Sequence, residues 1–426
     1  MLTYLSQLWR SPELRKRILF TLFILFIYRL AAHITIPGAN RELLEQFLSN
    51  GGGAGALGIF AALTGGSLES FSITLLGLSP YINASIILQL CAVIFPRLEA
   101  IQKEGVQGQR KINTYTRWLS IVLAFAQSYG FLLLLNQGGS GEIVPLSFPD
   151  VLLPMLFVSV GCVFVMWLGE LITEKGIGNG ISLIIFAGIV AGLPSIVTRM
   201  FYADAGTQSA FYIFLIVSLA TLVAVVLFTD AHRAIPVTYA NQGAGRGVRG
   251  TIPIRLNQAG MIPIIFAISL ITFPGIIAQF LQTAPRLQGV VGFIQTHLNS
   301  NSPSITYMAS YFALVLLFTY FYVSVTFKPD DVAESIQKRG GFIPGVRPGR
   351  ETAEMLQRVS TRLNLWGGSF LGIVAIVPLI FTRYSGLAAQ DLIISGSGLI
   401  IVVGVVLELI RQINAKLLVH DYEKLV

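Results

Sequence analysis

Charge is scarce in this 426-residue chain: Asp, Glu, Lys and Arg together make up 12% of it, against 54% hydrophobic residues. A water-soluble domain of this length carries about twice that charge. The chain is therefore read as a polytopic membrane protein. Cysteine is scarcer still, with only Cys91 and Cys162, both in apolar runs, which excludes a disulfide framework. The four histidines, His33, His232, His297 and His420, lie far apart and give no metal-ligand spacing. No Gly-x-Ser-x-Gly elbow and no His-Glu-x-x-His pair occurs, and no lysine directly follows a glycine, so a phosphate-binding lysine loop is absent. Gly245, Gly247 and Gly250 have the spacing of a dinucleotide fingerprint, but arginines interleave them and no strand–helix unit surrounds them. No enzyme activity, cofactor or metal is expected.

What the chain has is long apolar runs. A spanning helix needs about 20 residues, and runs of that kind fall near 18–36, 72–95, 117–135, 151–171, 180–198, 210–228, 258–280, 305–326, 367–382 and 392–410. An even count puts both termini on one side. The segments on that side hold Arg10, Arg15, Lys16 and Arg17, then Arg97, Lys103, Arg110 and Lys111, and later Arg233, Arg246, Arg249 and Arg255, with a further basic cluster from Lys328 to Arg362. The opposite loops hold only Arg41, Arg199, Arg286 and Arg383, so both termini are assigned to the cytoplasm. Displacing one middle span would swap every later loop and destroy this asymmetry. The first apolar run is long and lacks a small-residue cleavage site, so it is expected to stay as a span rather than leave as a signal peptide.

The stretch from Gly58 to Phe95 is too long for one crossing and is interrupted by Gly65, Gly66, Glu69 and the Gly77/Pro80 pair. It must fold back or break, and broken backbone at membrane depth is tolerated only where protein buries it or where it lines a watery cavity. A path through the molecule is the implied consequence. Five spans precede the 199–209 loop and five follow it, which gives an N-terminal half, 1–198, and a C-terminal half, 210–426, of opposite orientation. Two basic loops, 229–257 and 327–366, lie on the cytoplasmic side. The first reads as a mobile β-hairpin of Ile235–Tyr239 and Thr251–Ile254 around a glycine-rich tip. The second ends a helix at Lys328-Pro329, is broken at Gly340, Gly341, Pro344 and Pro348, and resumes as an amphipathic helix from Arg350 to Leu365. Both read as docking surfaces for nucleic acid or an acidic partner.

Ion-coupled transporters keep ionisable groups near the bilayer centre. Here Glu170 and Glu408 lie near cytoplasmic helix ends, where they would meet water, Lys175 or Arg411, and Arg29 alone lies well inside a span. A secondary transporter of a small solute is thus the alternative, and it is disfavoured. Leu78 and Ile82 share one helix face, as do Ile185 and Ile189, a spacing that ordinary packing would also give.

Five motifs occur in order: "GGSLESFSITLLGLSPYINASIILQL" from Gly65, "EGVQGQRKINTYTRW" from Glu104, "WLGELITEKGIGNGISLIIFAGIVAGLP" from Trp167, "MIPIIFA" from Met261 and "GGFIPGVRPGRET" from Gly340. Together they resemble the SecY family of the bacterial type, whose members are central subunits of the protein-conducting channel. The resemblance covers about 10 to 426. It implies an all-α protein of ten transmembrane helices in two pseudo-symmetric halves around an hourglass pore. The waist would be Leu78, Ile82, Ile185, Ile189, Ile265 and Ile401, where Leu78 stands in place of an expected isoleucine. A re-entrant plug helix would occupy about 57–70 and include Gly65, Gly66, Ser67 and Glu69. A lateral gate between the second and third spans and the seventh and eighth would contain Asn83, Gln89 and Gln127. The resemblance also implies SecE and SecG subunits, with a SecA motor or a ribosome contacted by Arg246, Arg249, Arg255 and Arg347. Signal sequences and unfolded polypeptide would be the substrates, and membrane lipid would receive laterally released segments. The bacterial inner membrane is the implied location, with a thylakoid membrane as the other possibility.

Overall fold

The computed structural model describes residues 11–37, 71–137, 147–202, 205–239, 248–281, 288–298, 304–385 and 396–423. The ten apolar runs each fall on a helix. These are α1 (Pro12–Ala31), α2 (Ser79–Ile94), α4 (Val106–Gln137), α5 (Leu152–Lys175), α6 (Gly180–Tyr202), α7 (Ala205–Asp230), α8 (Ile262–Leu281), α10 (Ile305–Thr326), α12 (Arg350–Ser385) and α13 (Gly396–Glu423). Three further helices lie between them: α3 (Pro96–Lys103), α9 (Gln288–His297) and α11 (Pro329–Lys338). Among the described residues, α5, Tyr212–Asp230, Ile305–Lys338, Arg350–Phe381 and Gly398–Leu417 are each long and apolar enough to cross a membrane. The other read spans fall on helices that are shorter, bent or charged at one end. Thus α1 opens with Glu13, Arg15, Lys16 and Arg17, and α2 turns by 104° into α3 at Pro96.

Burial separates the helix faces. One large apolar cluster joins Tyr28, Leu168, Ile172, Ile184, Ile264, Val315, Leu371 and Ile400 from seven helices. Outward faces keep apolar side chains exposed, as at Phe23, Phe26, Trp118, Val122, Ile216, Leu219 and Leu227. A protein that buries apolar groups inside and also presents them outside is suited to hydrocarbon rather than water. Together with the spans, this is the anatomy of a multi-pass membrane protein.

The second span begins later than its hydropathy suggests. Residues 71–78 are a series of tight turns and α2 starts only at Ser79. Gly77 takes φ 52° and Phe71 takes φ 44°, a left-handed conformation, while Pro80 sits in the first helical turn. This irregular backbone is buried, and its polar groups are satisfied locally. The Ile36 amide donates to the Phe71 carbonyl at 3.0 Å, the Ile73 amide to Ile34 at 2.9 Å and the Gly77 amide to Thr74 at 2.8 Å. The Ser72 and Thr74 hydroxyls bond each other at 2.9 Å. α5 seals the segment through Gly161, where an added Cβ would lie 1.9 Å from the Ile73 carbonyl oxygen.

A second tight turn joins α5 to α6 through Gly176, Ile177, Gly178 and Asn179. Gly178 has φ +86°, and a Cβ on Gly180 would meet the Gly169 carbonyl at 1.9 Å, so the two helices close directly on each other. The Asn179 Oδ1 accepts the amides of Ile181 and Ser182, capping α6. Thr173 Oγ1 accepts the Gly180 amide at 2.9 Å, and Thr21 Oγ1 of α1 accepts that of Ile177 at 3.1 Å.

Between the sixth and seventh spans, β1 (His232–Tyr239) and β2 (Val248–Arg255) form the expected antiparallel hairpin, longer than read, with Ile235 opposite Ile252. A third strand, β3 (Gly341–Phe342), pairs with the outer end of β1, so the two basic loops form one sheet in the order β2-β1-β3. Two glycines make that possible: a Cβ on Gly341 would lie 2.8 Å from the Tyr239 ring, and one on Gly250 would lie 3.1 Å from it. Ile235, Val237 and Ile254 pack on Ile336, Ile343 and Leu356 to give this region its own small core. The amphipathic helix expected at Arg350–Leu365 does not stop there. It continues through Gly367 and Gly368 into the ninth span as the single helix α12. These glycines do not break the helix because neighbouring groups fill their places: Cβ atoms on Gly367, Gly368 and Gly372 would meet the Leu256 carbonyl, Leu316 and Phe312 at 2.7, 3.0 and 2.5 Å.

Two outcomes test this account. Gly161→Ala forces apart α5 and the 71–78 turns and is expected to cost about 1–3 kcal/mol in thermal unfolding of the solubilised protein, the usual range for overpacking, whereas Gly292→Ala, which meets nothing within 4 Å, leaves stability unchanged or raised. Asn179→Ala removes the α6 cap and is expected to cost about 1 kcal/mol in the same measurement, with Asn179→Asp retaining most of the stability.

Candidate apolar constriction and cytoplasmic face

The 71–78 turns place Leu78 immediately before α2, and the Ile82 amide donates to the Leu78 carbonyl at 3.0 Å, which sets the two side chains one turn apart. The capped start of α6 does the same for Ile185 and Ile189. Ile265 lies in the first turns of α8, where its amide bonds Met261, and Ile401 lies near the start of α13. Met261 itself packs on Gly404 of α13, 3.1 Å from where a Cβ would stand. Leu78, Ile185, Ile189 and Ile401 are all buried, the last at 0% exposure, and Ile82 and Ile265 are half-buried against the same cluster. All six aliphatic side chains thus belong to, or pack on, the large apolar cluster that spans seven helices. The plug residues Gly65, Gly66, Ser67 and Glu69 lie outside the described residues, as does Arg246.

Polar groups around this region stay within their own helices or close ion pairs near the helix ends. Gln89 donates to Ser85 Oγ at 3.2 Å along α2, rather than across to another helix, and Asn83 and Gln127 are half-buried. α2 and α4, which carry these three residues, both contact α8, and α8 contacts α10. Glu170 pairs with Arg117 of α4 at 2.7 Å rather than with Lys175, and Glu408 accepts from Gln412 at 3.3 Å rather than from Arg411. Arg411 instead bonds Asp230 and the Thr229 carbonyl at the foot of α7. Arg29 is half-buried in the last turn of α1. Cys91 and Cys162 are both free thiols, and no group of metal-ligating side chains occurs among the described residues.

The face that carries the three-stranded sheet is basic and exposed. Arg347 has 87% of its side chain exposed, while its backbone is held on both sides: its carbonyl accepts the Thr352 hydroxyl at 2.9 Å and its amide donates to Glu351 at 3.4 Å. Arg255 is exposed at the end of β2, opposite His232, and Arg249 occupies the same strand opposite Thr238. A cavity of about 460 Å³ between the sheet and α12 is lined by Arg233, Arg358 and Arg362 together with Glu351 and Glu354. In the sequence these arginines count only toward the basic character of their two loops, because only the packing of the sheet on α12 brings residue 233 beside residues 358 and 362.

Comparison with known proteins agrees with this anatomy. The SecY family model matches residues 72–410. The chain is 40% identical over 99% of both chains to the protein translocase subunit SecY of Streptomyces galbus, and 39% identical over 97% of both chains to that of Mycobacterium bovis. Its fold matches that of a solved protein-conducting channel with a TM-score of 0.68 at 18% identity, covering 94% of this chain and 92% of the other. It also matches Sec61 from a canine ribosome–channel complex of the endoplasmic reticulum, with a TM-score of 0.64 at 19% identity and coverage of 94% and 92%. With near-complete relatives at this identity and a family match over most of its length, the chain belongs to the SecY family.

Proposed function

We infer that the protein is the channel subunit of a protein translocase, and that the six aliphatic side chains on α2, α6, α8 and α13 form the collar through which an unfolded polypeptide passes. The observation that supports this reading is that six aliphatic residues scattered from 78 to 401 all belong to, or pack on, the same apolar core. A transiting chain presents every kind of side chain, so the lining must bind none of them. Branched carbons yield around each side chain, offer no hydrogen bonds and resist ion flow by dewetting. Energy is supplied from outside, since the chain has no nucleotide-binding loop.

In this reading residues 1–198 and 210–426 are two halves clasped about the collar, and the 57–70 segment plugs it from the external side. α2 and α4 part from α8 and α10 to admit a signal sequence, whose apolar core of about 7–15 residues then enters lipid. Asn83, Gln89 and Gln127 lie along that seam. SecE and SecG complete the complex in the bacterial inner membrane, with both termini cytoplasmic. A SecA motor or a ribosome docks on the sheet and on the arginine face formed by Arg246, Arg249, Arg255 and Arg347. The ribosome-bound state of the canine channel complex supports a docking face of this kind. Arg347 suits the role because its exposed guanidinium is presented from a backbone already held by Thr352 and Glu351.

Crosslinking of an arrested secretory chain tests the reading. In a Cys91→Ser, Cys162→Ala background, Ile82→Cys and Ile185→Cys are expected to crosslink the arrested chain, and Ile216→Cys, which is 68% exposed on α7, is not; equal crosslinking at all three positions would falsify the collar. Ile189→Asp is expected to raise ion conductance of the reconstituted channel on the order of tenfold, because a charge hydrates the constriction. Arg347→Glu is expected to reduce export at least about tenfold while shifting stability by less than about 0.5 kcal/mol, as for an exposed substitution; export at the unaltered rate would remove Arg347 from the docking face.

A further inference from the structure

The root of α8 is fastened to α12 by a polar contact that the collar and the docking face do not use. Before α8 begins at Ile262, the chain runs through Leu256, Asn257 and Gln258. The Asn257 Oδ1 accepts the Gly260 amide at 2.9 Å and Gly260 takes φ +66°, so this segment is a shaped turn rather than a loose connection. It touches α12 at two points. The Leu256 carbonyl lies against Gly367, and the Gln258 Oε1 accepts the Ser360 hydroxyl at 3.0 Å from 102 residues away. Ser360 is 3% exposed, and Asn364, one turn further along α12, is 5% exposed. The Gln258 Nε2 and the Asn364 Oδ1 are both buried without a hydrogen-bond partner among the described residues.

We propose that the Gln258–Ser360 hydrogen bond is a clasp that positions the cytoplasmic root of α8 and so sets how firmly α8 rests against α2 and α4. The inference builds on the lateral-gate reading of those helices. One hydrogen bond at a buried contact, beside amide groups that remain unsatisfied, is strong enough to bias a resting position and weak enough to exchange when an apolar segment competes for the seam. α12 is the natural anchor, because its Gly367, Gly368 and Gly372 pack it tightly against the α8 turn and α10. Gln258 and Ser360 are therefore positioning residues; neither touches the translocating chain.

The test uses the complete reconstituted complex with its motor. Spin labels at Ile87→Cys on α2 and Leu270→Cys on α8, both exposed positions, report the seam by electron-electron distance measurement in the cysteine-replaced background. Export is followed for one preprotein with an intact signal and for one with a shortened apolar core. Ser360→Ala and Gln258→Leu are each expected to lengthen the α2–α8 distance and to raise export of the shortened-core preprotein about threefold, the factor matching a membrane interhelical hydrogen bond at the low end of its range. Ser360→Thr, which keeps the hydroxyl, is expected to restore both readouts. The clasp is overturned if both removal variants keep the original distance and signal discrimination, or if Ser360→Thr behaves like Ser360→Ala. Absence of intact-signal export from the unaltered complex would instead overturn the channel reading beneath it.

Discussion

Hydrocarbon cannot satisfy a loose amide, and much of this molecule follows from that. The chain nevertheless carries eight residues of turn, 71–78, next to its central apolar region, and it holds them there with hydrogen bonds and close packing. The 34–36 segment exchanges backbone hydrogen bonds with Phe71 and Ile73, Ser72 and Thr74 bond each other, and Gly161 lets α5 close over the Ile73 carbonyl. A regular helix through these positions would need none of this.

Glycine placement solves the complementary problem of bringing backbones together. Gly161, Gly180, Gly367 and Gly372 each stand where any larger residue would meet a carbonyl or a ring at under 3 Å. Between membrane helices, close approach replaces the hydrophobic drive that water would otherwise provide. The apolar core is thus framed by tight glycine contacts between α5, α6, α10 and α12.

Much of this could be read from the residues. Runs of apolar side chains located ten helices. The hairpin around Ile235 and Ile252 was visible as two β-favouring segments with a glycine-rich tip. Other features were hidden because they depend on partners distant in sequence. Glu170 found Arg117 instead of Lys175 because α4 packs beside α5, and β3 is only two residues long, too brief to show any alternation. The amphipathic helix to Leu365 and the span from 367 read as two elements, since nothing local reveals that Leu256 and Leu316 occupy the side-chain space missing at Gly367 and Gly368. Burial of Leu78 and Ile189 in the same cluster is likewise invisible to spacing, which fits ordinary packing equally well.

The long course of α12 has a mechanical corollary. Pro378 interrupts its hydrogen-bond ladder near the far end, and at 1.5 Å per residue the regular stretch before it, 350–377, extends roughly 42 Å. Its first turn sits beside Arg347, its middle carries Ser360, and its later turns lie among the glycine contacts with α10. A protein pressing on the arginine face would therefore push on one end of a stiff rod whose other end is embedded beside α10. Force applied outside the bilayer can reach the interior by tilting that rod, without any loop having to refold.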